Sequence, residues 1–366
     1  MPRRRVRLLA AELHYRPGVH LHTAASGSVP ALHELYLVIE DDRGLLGLGG
    51  VRTNVEYLTG IPESVVRQEG QRLRDLPWAG DLDELLAVVH GQSGLSVTTR
   101  ALVDTTIFDA RSRREGVPLC AYLGGSFCGG YSTNQTLFWC PDESLIETAR
   151  EYVARGFTDL KLRVGIGSFD GDLRRLERLR GVFGSAITLS IDANGRWSER
   201  EAEEHLERLR PFELAYVEQP IGASDWDAIA RIAQRSPTPL MLDESLASLA
   251  DVQHLAQQRL PVLAHLKVAK LGGVGPLVEA ATVLAKAGVE VMIGQMNEGS
   301  VATAAAVQCA MALQPQRGEL YGADGLLDDT ARGLAYRAGM VEIADRPGLG
   351  IDFCEEHTAL IWETTA

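Results

Sequence analysis

The segment ITLSIDANGRW, residues 187–197, decides the reading of the fold. An apolar-rich run leads into Asp192, and a helix start follows. Ser198 stands three residues ahead of Glu201 as a capping box, and Ala202, Leu206 and Leu209 then share one helical face. The same succession recurs downstream, with Glu218 in YVEQP, Asp243 in MLDES and Lys267 in HLKVAK. These four charged residues are 26, 25 and 24 positions apart.

Working outward, strand candidates fall at 133–139, 159–164, 187–192, 215–218, 240–243, 265–268, 290–293 and 319–321. Amphipathic helical stretches separate them, one of them running from near Pro276 to Gly288. Eight short strands with helical connections in roughly 200 residues suit a closed parallel barrel. An open doubly wound sheet would carry a Gly-rich nucleotide loop after its first strand, and none is present.

Residues before about 125 read differently. The segment 32–51 alternates toward apolar, turns at Asp41-Asp42-Arg43-Gly44 and continues apolar, which predicts a β-hairpin. Between Thr98 and Glu115, Val103, Ile107 and Ala110 recur at helical spacing, and Gly116 with Pro118 supplies a stop. This first part is α+β.

Composition narrows the function. The chain has 366 residues, 45% hydrophobic and 23% charged, with no apolar run near the roughly 18 residues that cross a bilayer. The net charge of −13 disfavours nucleic acid and anionic lipid as partners. Five cysteines without a C-x-x-C pair fit reduced thiols of a cytoplasmic protein, and none is given a catalytic role. The basic cluster Arg3–Arg7 lacks the apolar segment of a signal peptide and reads as a solvated start to the first strand. A small-molecule substrate is expected.

In a barrel, Asp192, Glu218, Asp243 and Lys267 would all lie at the C-terminal ends of their strands, where such folds build active sites. A single strand-end carboxylate more often caps the next helix or is solvated. Three at one repeat phase repel one another unless a cation sits among them, and oxygen ligands favour Mg2+. A lysine beside such a cation has its ammonium form disfavoured and can act as a general base.

Taken together, these motifs resemble the muconate cycloisomerase (muconate lactonizing) subgroup of the enolase superfamily. The resemblance covers most of the chain: residues 101–125, DLKLRVG (159–165), SIDANGRW (190–197), YVEQP (216–220), LDES (242–245), LKVAKLGG (266–273), GQMNEGS (294–300), GELYGADGLL (318–327) and RPGLGIDF (346–353). It implies an α/β fold, a (β/α)7β modified TIM barrel over residues 126–327. An N-terminal α+β capping domain over 1–125 and a C-terminal segment, 328–366, that returns to the cap complete it. It also implies Mg2+, with Mn2+ as a substitute, held by Asp192, Glu218 and Asp243, with Asn194 and Glu244 beside the ligands. Lys267 resembles the base, Lys161 and Arg163 its counterparts on the second strand, and Glu298 the acid after the seventh. The implied reaction abstracts or returns a proton alpha to a carboxylate through an enediolate, as in a muconate-type cycloisomerase, in a protein expected to be a homo-oligomer. An N-acyl amino acid or dipeptide epimerase, an acid-sugar dehydratase and a catalytically silent binding protein are the alternatives.

The chain departs from the pattern twice. Lys161-Leu162-Arg163 stands where the family usually has Lys-x-Lys, and an arginine stays protonated and serves poorly as a base. Gly49-Gly50-Val51 stands where relatives often have Gly-Glu. His20 and His22 are read as part of a loop, Val19–Pro30, that closes over the barrel mouth and helps choose the substrate together with Val51–Pro62. Gly272, Gly273 and Gly275 form a turn before a helix that could bind an anion or merely turn.

Overall fold

The computed structural model describes residues 3–42, 44–91 and 94–366, so Arg43 of the expected hairpin turn lies outside the described residues. Eight strands form one sheet in chain order: Gln135–Leu137, Asp159–Arg163, Thr188–Asp192, Val217–Glu218, Leu240–Leu242, Val262–Lys267, Val291–Gly294 and Arg317–Glu319. Every neighbouring pair is parallel. The ring is drawn together between its ends by Asn134 N–H donating to the Gly318 carbonyl at 3.0 Å and Leu320 N–H donating to Thr133 Oγ1 at 2.8 Å. Helices join the strands seven times, and none follows the eighth directly, which is the (β/α)7β arrangement.

The strands are buried on both faces, so their ends do not show in an alternation pattern. The sixth strand therefore begins at Val262 rather than His265, and the eighth ends at Glu319 rather than beginning there. Tyr216, Met241, Leu263 and Met292 pack as one cluster inside the ring. Helix signals were sharper. Ser198 and Glu201 make the reciprocal capping box, and Gly288 closes the helix Val274–Ala287 in the left-handed region at φ 75°.

The cap is an antiparallel sheet in which Arg5–Leu13 lies between Ala359–Thr365 and Leu32–Asp41, and Gly44–Arg52 follows. Helix Val97–Glu115, capped by Ser96 and ended by Gly116 at φ 72°, packs across it. That packing depends on Gly49, where an added Cβ would sit 2.6 Å from the Leu102 carbonyl oxygen and 2.9 Å from the Thr106 amide nitrogen. Gly49→Val should lower the stability of the folded chain by about 3 kcal/mol, the upper range for forced overpacking, read as the shift of a urea midpoint. A midpoint within error of wild type would contradict this close approach.

The basic start is less solvated than its sequence suggests. Arg7 is buried and pairs with Glu355 and Glu40, and Arg4 donates to the Trp78 and Gly80 carbonyls. The glycine turn at 272–275 is filled by the protein itself. Asp104 Oδ1 accepts the amides of Val274 and Gly275 at 2.6 and 3.3 Å, in the space a Cβ on Gly273 would need. All five cysteines are free. Among the described residues, no helix is long and apolar enough to cross a membrane.

Candidate active site

Parallel register brings the strand ends onto one side of the ring. Arg163 aligns with Asp192, Asp192 with Glu218, Lys267 with Gly294, and Gly294 with Glu319. All of these charged side chains are buried, a costly arrangement unless each is paired. Arg163 Nη1 donates to Asp192 Oδ2, while Asp192 Oδ1 accepts the Asn194 amide at 2.8 Å. Lys161 Nζ lies 3.0 Å from Glu218 Oε2, 3.8 Å from Asp192 Oδ2, and also pairs with Glu319. Lys267 Nζ donates to Asp243 Oδ2 at 2.5 Å and Lys270 Nζ to Asp243 Oδ1 at 2.6 Å.

Sequence reasoning missed three members of this web, Lys270, Glu319 and His265. Glu319 stands at the eighth strand end, inside a motif already singled out, and its position in the barrel was the available signal. His265 precedes Lys267 by two residues, hence on the same strand face, and its Nδ1 lies 3.0 Å from Glu218 Oε1. Donor atoms of Glu218, Asp243 and His265 lie within 4.8 Å of one another. Asp192, read from the sequence as the third carboxylate, adjoins this trio but is turned to Arg163 and Asn194.

The acidic oxygens fit a hard divalent cation. Glu218 and Asp243 come together, Asp192 adjoins Glu218 across Lys161, and Glu244 accepts from Asn194 Nδ2 at 3.1 Å through Oε1, with Oε2 buried without a partner. Burial, reinforced by Asp243 and Asp192, pushes Glu244 up to about 8, and burial pushes Asp192 up to about 6 against the pull of Arg163. For Lys267, burial disfavours the charge but Asp243 outweighs it, so its pKa stands above the ordinary lysine value. Burial likewise opposes Glu218 ionisation, and Lys161 with His265 overcomes it, holding that carboxyl well below the usual range.

Glu298 lies in the turn after the seventh strand, and the cap grips both sides of it. Arg52 Nη1 donates to the Met296 carbonyl at 2.9 Å, and Glu34 Oε1 accepts the Gly299 amide at 2.6 Å. Glu34 and Arg52 are themselves partners across adjacent strands. At the second departure, Gly50 leaves room for Tyr36, which a Cβ there would meet at 3.0 Å and whose hydroxyl donates to Glu34. Glu298 is buried with Oε2 unpartnered, and burial, then Glu34, raises its pKa to about 8, with Arg52 and Lys267 opposing.

A carboxyl raised from about 4.5 to about 8 binds more protons folded than unfolded between those values. Its favourable contribution is complete below the unfolded pKa and is lost as pH rises through the folded one. Glu298→Gln should therefore leave the melting temperature unchanged near pH 4 and raise it above wild type at pH 8.5. Parallel melting curves across that range would contradict a buried, proton-holding Glu298.

The cap segment before the second strand reaches the same end of the barrel. Tyr15 hydroxyl donates to the Gly322 carbonyl at 2.5 Å, Trp139 N–H donates to the His22 carbonyl at 3.2 Å, and the His22 and Trp139 rings lie 5.2 Å apart. Beneath it is a cavity of about 470 Å³ lined in part by Arg16, His20, Phe138, Glu147, Glu151 and Tyr152. Phe138 meets the ring of Tyr321, two residues past Glu319, at 6.3 Å.

Known proteins share this architecture. An N-succinyl-L-Arg/Lys racemase of Bacillus cereus is 28% identical over 337 residues, 90% of each chain. A chloromuconate cycloisomerase of Pseudomonas putida is 28% identical over 278 residues, 75% of each chain. The crystal structure of a dipeptide epimerase from Enterococcus faecalis, complexed with Mg and the dipeptide L-Leu-L-Tyr, superposes with a TM-score of 0.85 at 25% identity, covering 96% of this chain and 100% of that one. The enolase C-terminal domain-like family matches residues 144–357. With that match over more than half of its length joined to the barrel, cap and buried acid row, the chain belongs to the enolase superfamily, and its relatives include muconate cycloisomerases and epimerases.

Proposed function

We propose that this chain is a Mg2+-dependent isomerase that moves a proton at the carbon beside a substrate carboxylate, in the one-base manner of a muconate-type cycloisomerase. The observation that carries this reading is an asymmetry. The second and sixth strands stand four places apart in a ring of eight, so Arg163 and Lys267 flank the barrel mouth from opposite sides. Only one of them can cycle a proton near neutral pH.

Mg2+ held by Asp192, Glu218 and Asp243, with Asn194 and Glu244 behind them, would stabilise the charge of the enediolate. A cation sharing Asp243 would weaken the largest pull that holds the Lys267 ammonium against burial, leaving the smaller pulls of Glu319 and Glu218. Lys267 Nζ then takes the α-proton, or returns one in the cycloisomerisation direction. Arg163 and Lys161 keep their charge and hold the substrate's negative groups. Glu298, protonated near neutral pH, donates a hydrogen bond or proton from the cap side. The loop Val19–Pro30, whose His22 meets Trp139 just past the first barrel strand, helps choose the substrate, and exchanging it should change which acid is used, read as kcat/KM over an acid panel. An unchanged ranking in a folded chimera would remove that loop's role.

A second reading, epimerisation of N-acylated amino acids or dipeptides, is favoured by the racemase and epimerase among the similar proteins. It needs a base on each side, and Arg163 occupies one of them. The test is a panel of muconate-type acids, N-acyl amino acids and dipeptides in heavy water, with Mg2+ or with chelator, followed by NMR. Metal-dependent label entering one configuration supports the one-base reading. Racemic label supports epimerisation, and no exchange or turnover of any acid overturns both.

The metal assignment has its own check. Glu218→Gln should weaken Mg2+ binding by about 100-fold in calorimetry. Unchanged affinity would show that the cation sits elsewhere.

A further inference from the structure

We propose that His265 is a positioning residue for the metal site, holding Glu218 through its Nδ1–H so that the other carboxylate oxygen, Oε2, is the one offered to the cation. This rests on the metal-site reading above and adds a residue to it.

The geometry offers two roles for the ring. Its Nδ1 lies 3.0 Å from Glu218 Oε1 and 4.0 Å from Asp243 Oδ2, close enough for His265 to be either a third ligand or a donor to one. The far side of the ring decides between them. Nε2 is buried and has no hydrogen-bond partner. A histidine that ligates a metal through one nitrogen places its proton on the other and almost always donates it to an acceptor. Ligation through Nδ1 would leave the Nε2–H buried and unsatisfied. Donation from Nδ1–H to Glu218 leaves only a lone pair unsatisfied at Nε2, the cheaper defect.

The surroundings are shaped to this ring. Gly294, on the neighbouring strand and aligned with Lys267, has no side chain, and a Cβ there would fall on His265 Nε2. The ring thus occupies the place that any other residue at 294 would fill. Glu218 is held at both oxygens, Oε1 by His265 and Oε2 by Lys161 at 3.0 Å. The two holds differ in kind. Lys161 has a further carboxylate to pair with outside the proposed metal set, Glu319, and a cation at Oε2 would repel it toward that one. His265 has no other acceptor at Nδ1 within hydrogen-bond distance among the described residues, since its separation from Asp243 is too long. It stays on Oε1 and prevents Glu218 from turning both oxygens to the ion.

The experiment compares Mg2+ affinity by calorimetry in wild type, Glu218→Gln, His265→Ala and His265→Asn, the last placing an amide N–H near the position of Nδ1. It also follows the imidazole of wild type, labelled with 15N histidine, during a Mg2+ titration. We expect His265→Ala to bind Mg2+ about 10- to 100-fold more weakly, His265→Asn to stay within a few-fold of wild type, and Nδ1 to keep its proton in the Mg2+-loaded protein. Loss of the Nδ1 proton on adding Mg2+ would make His265 a direct ligand and overturn the proposal, a readout that needs no variant to fold. Equal affinity in wild type and His265→Ala, with Glu218→Gln weakened, would overturn it while leaving the metal site standing. Unchanged affinity in Glu218→Gln would instead remove the site on which it rests.

Discussion

Lys267→Ala should abolish α-proton exchange, lowering the rate of deuterium uptake by about 10³-fold, within the range that a positioned base contributes. The expectation follows from placement. Lys267 is buried at the end of the sixth barrel strand, with its Nζ on Asp243, and on the opposite strand the corresponding place belongs to an arginine. The same substitution removes a cation from Asp243, a carboxylate of the proposed metal site, so Mg2+ affinity should be equal to or tighter than wild type. These two outcomes together separate a lost base from a damaged metal site, since damage would weaken both. Exchange persisting near the wild-type rate in Lys267→Ala would overturn the role given to this residue.

The parts of the protein that were legible in the sequence are those that repeat. A strand-end charge every 24 to 26 residues is visible because the βα unit has a nearly constant length, and the barrel converts that period into a ring of side chains. Helix boundaries were legible at Ser198 and Gly288 because capping is local chemistry. Strand limits were not, since strands buried on both faces lose their alternation, and His265 was assigned to a strand start when it lies near the strand end. Its partnership with Glu218 spans 47 positions and depends on Gly294, a space rather than a motif. Glu34 and Arg52 were hidden for a related reason. They act on Glu298 across more than 240 positions, through the docking of the cap on the barrel, which no local pattern records.

The Gly-rich turn at 272–275 shows how a weak motif resolves. Its amides do bind an anion, but the anion is Asp104 of the cap helix, which His90 Nε2 also meets at 2.8 Å. The turn therefore fastens the cap to the barrel. This matters for the site because the same helix packs on the strand that ends in Arg52. Cap docking, the Glu298 turn and the mouth of the barrel are thus one mechanical unit.

Arg163→Lys should change the stereochemical outcome of exchange. In wild type, Arg163 donates to Asp192 and stays charged, being raised further above the ordinary arginine value because Asp192 outweighs the opposing effect of burial. On the one-base reading deuterium should then enter from the Lys267 side alone. A lysine at 163 would be shorter, would bond Asp192 less completely, and in a buried site can lose its proton where a guanidinium cannot. Its amine would stand across the mouth from Lys267, giving the second base that inversion requires. With an acid that wild type labels in one configuration, the variant should incorporate label in both, with exchange on the new face about 10²-fold above the wild-type background. The readout is the ratio of labelled enantiomers or diastereomers, resolved by NMR on a chiral derivative, with Mg2+ affinity measured alongside to verify that Asp192 still serves the site. Label confined to one configuration in Arg163→Lys, with metal affinity intact, would mean that residue 163 does not face the reacting carbon, and the asymmetry across the barrel would need another cause.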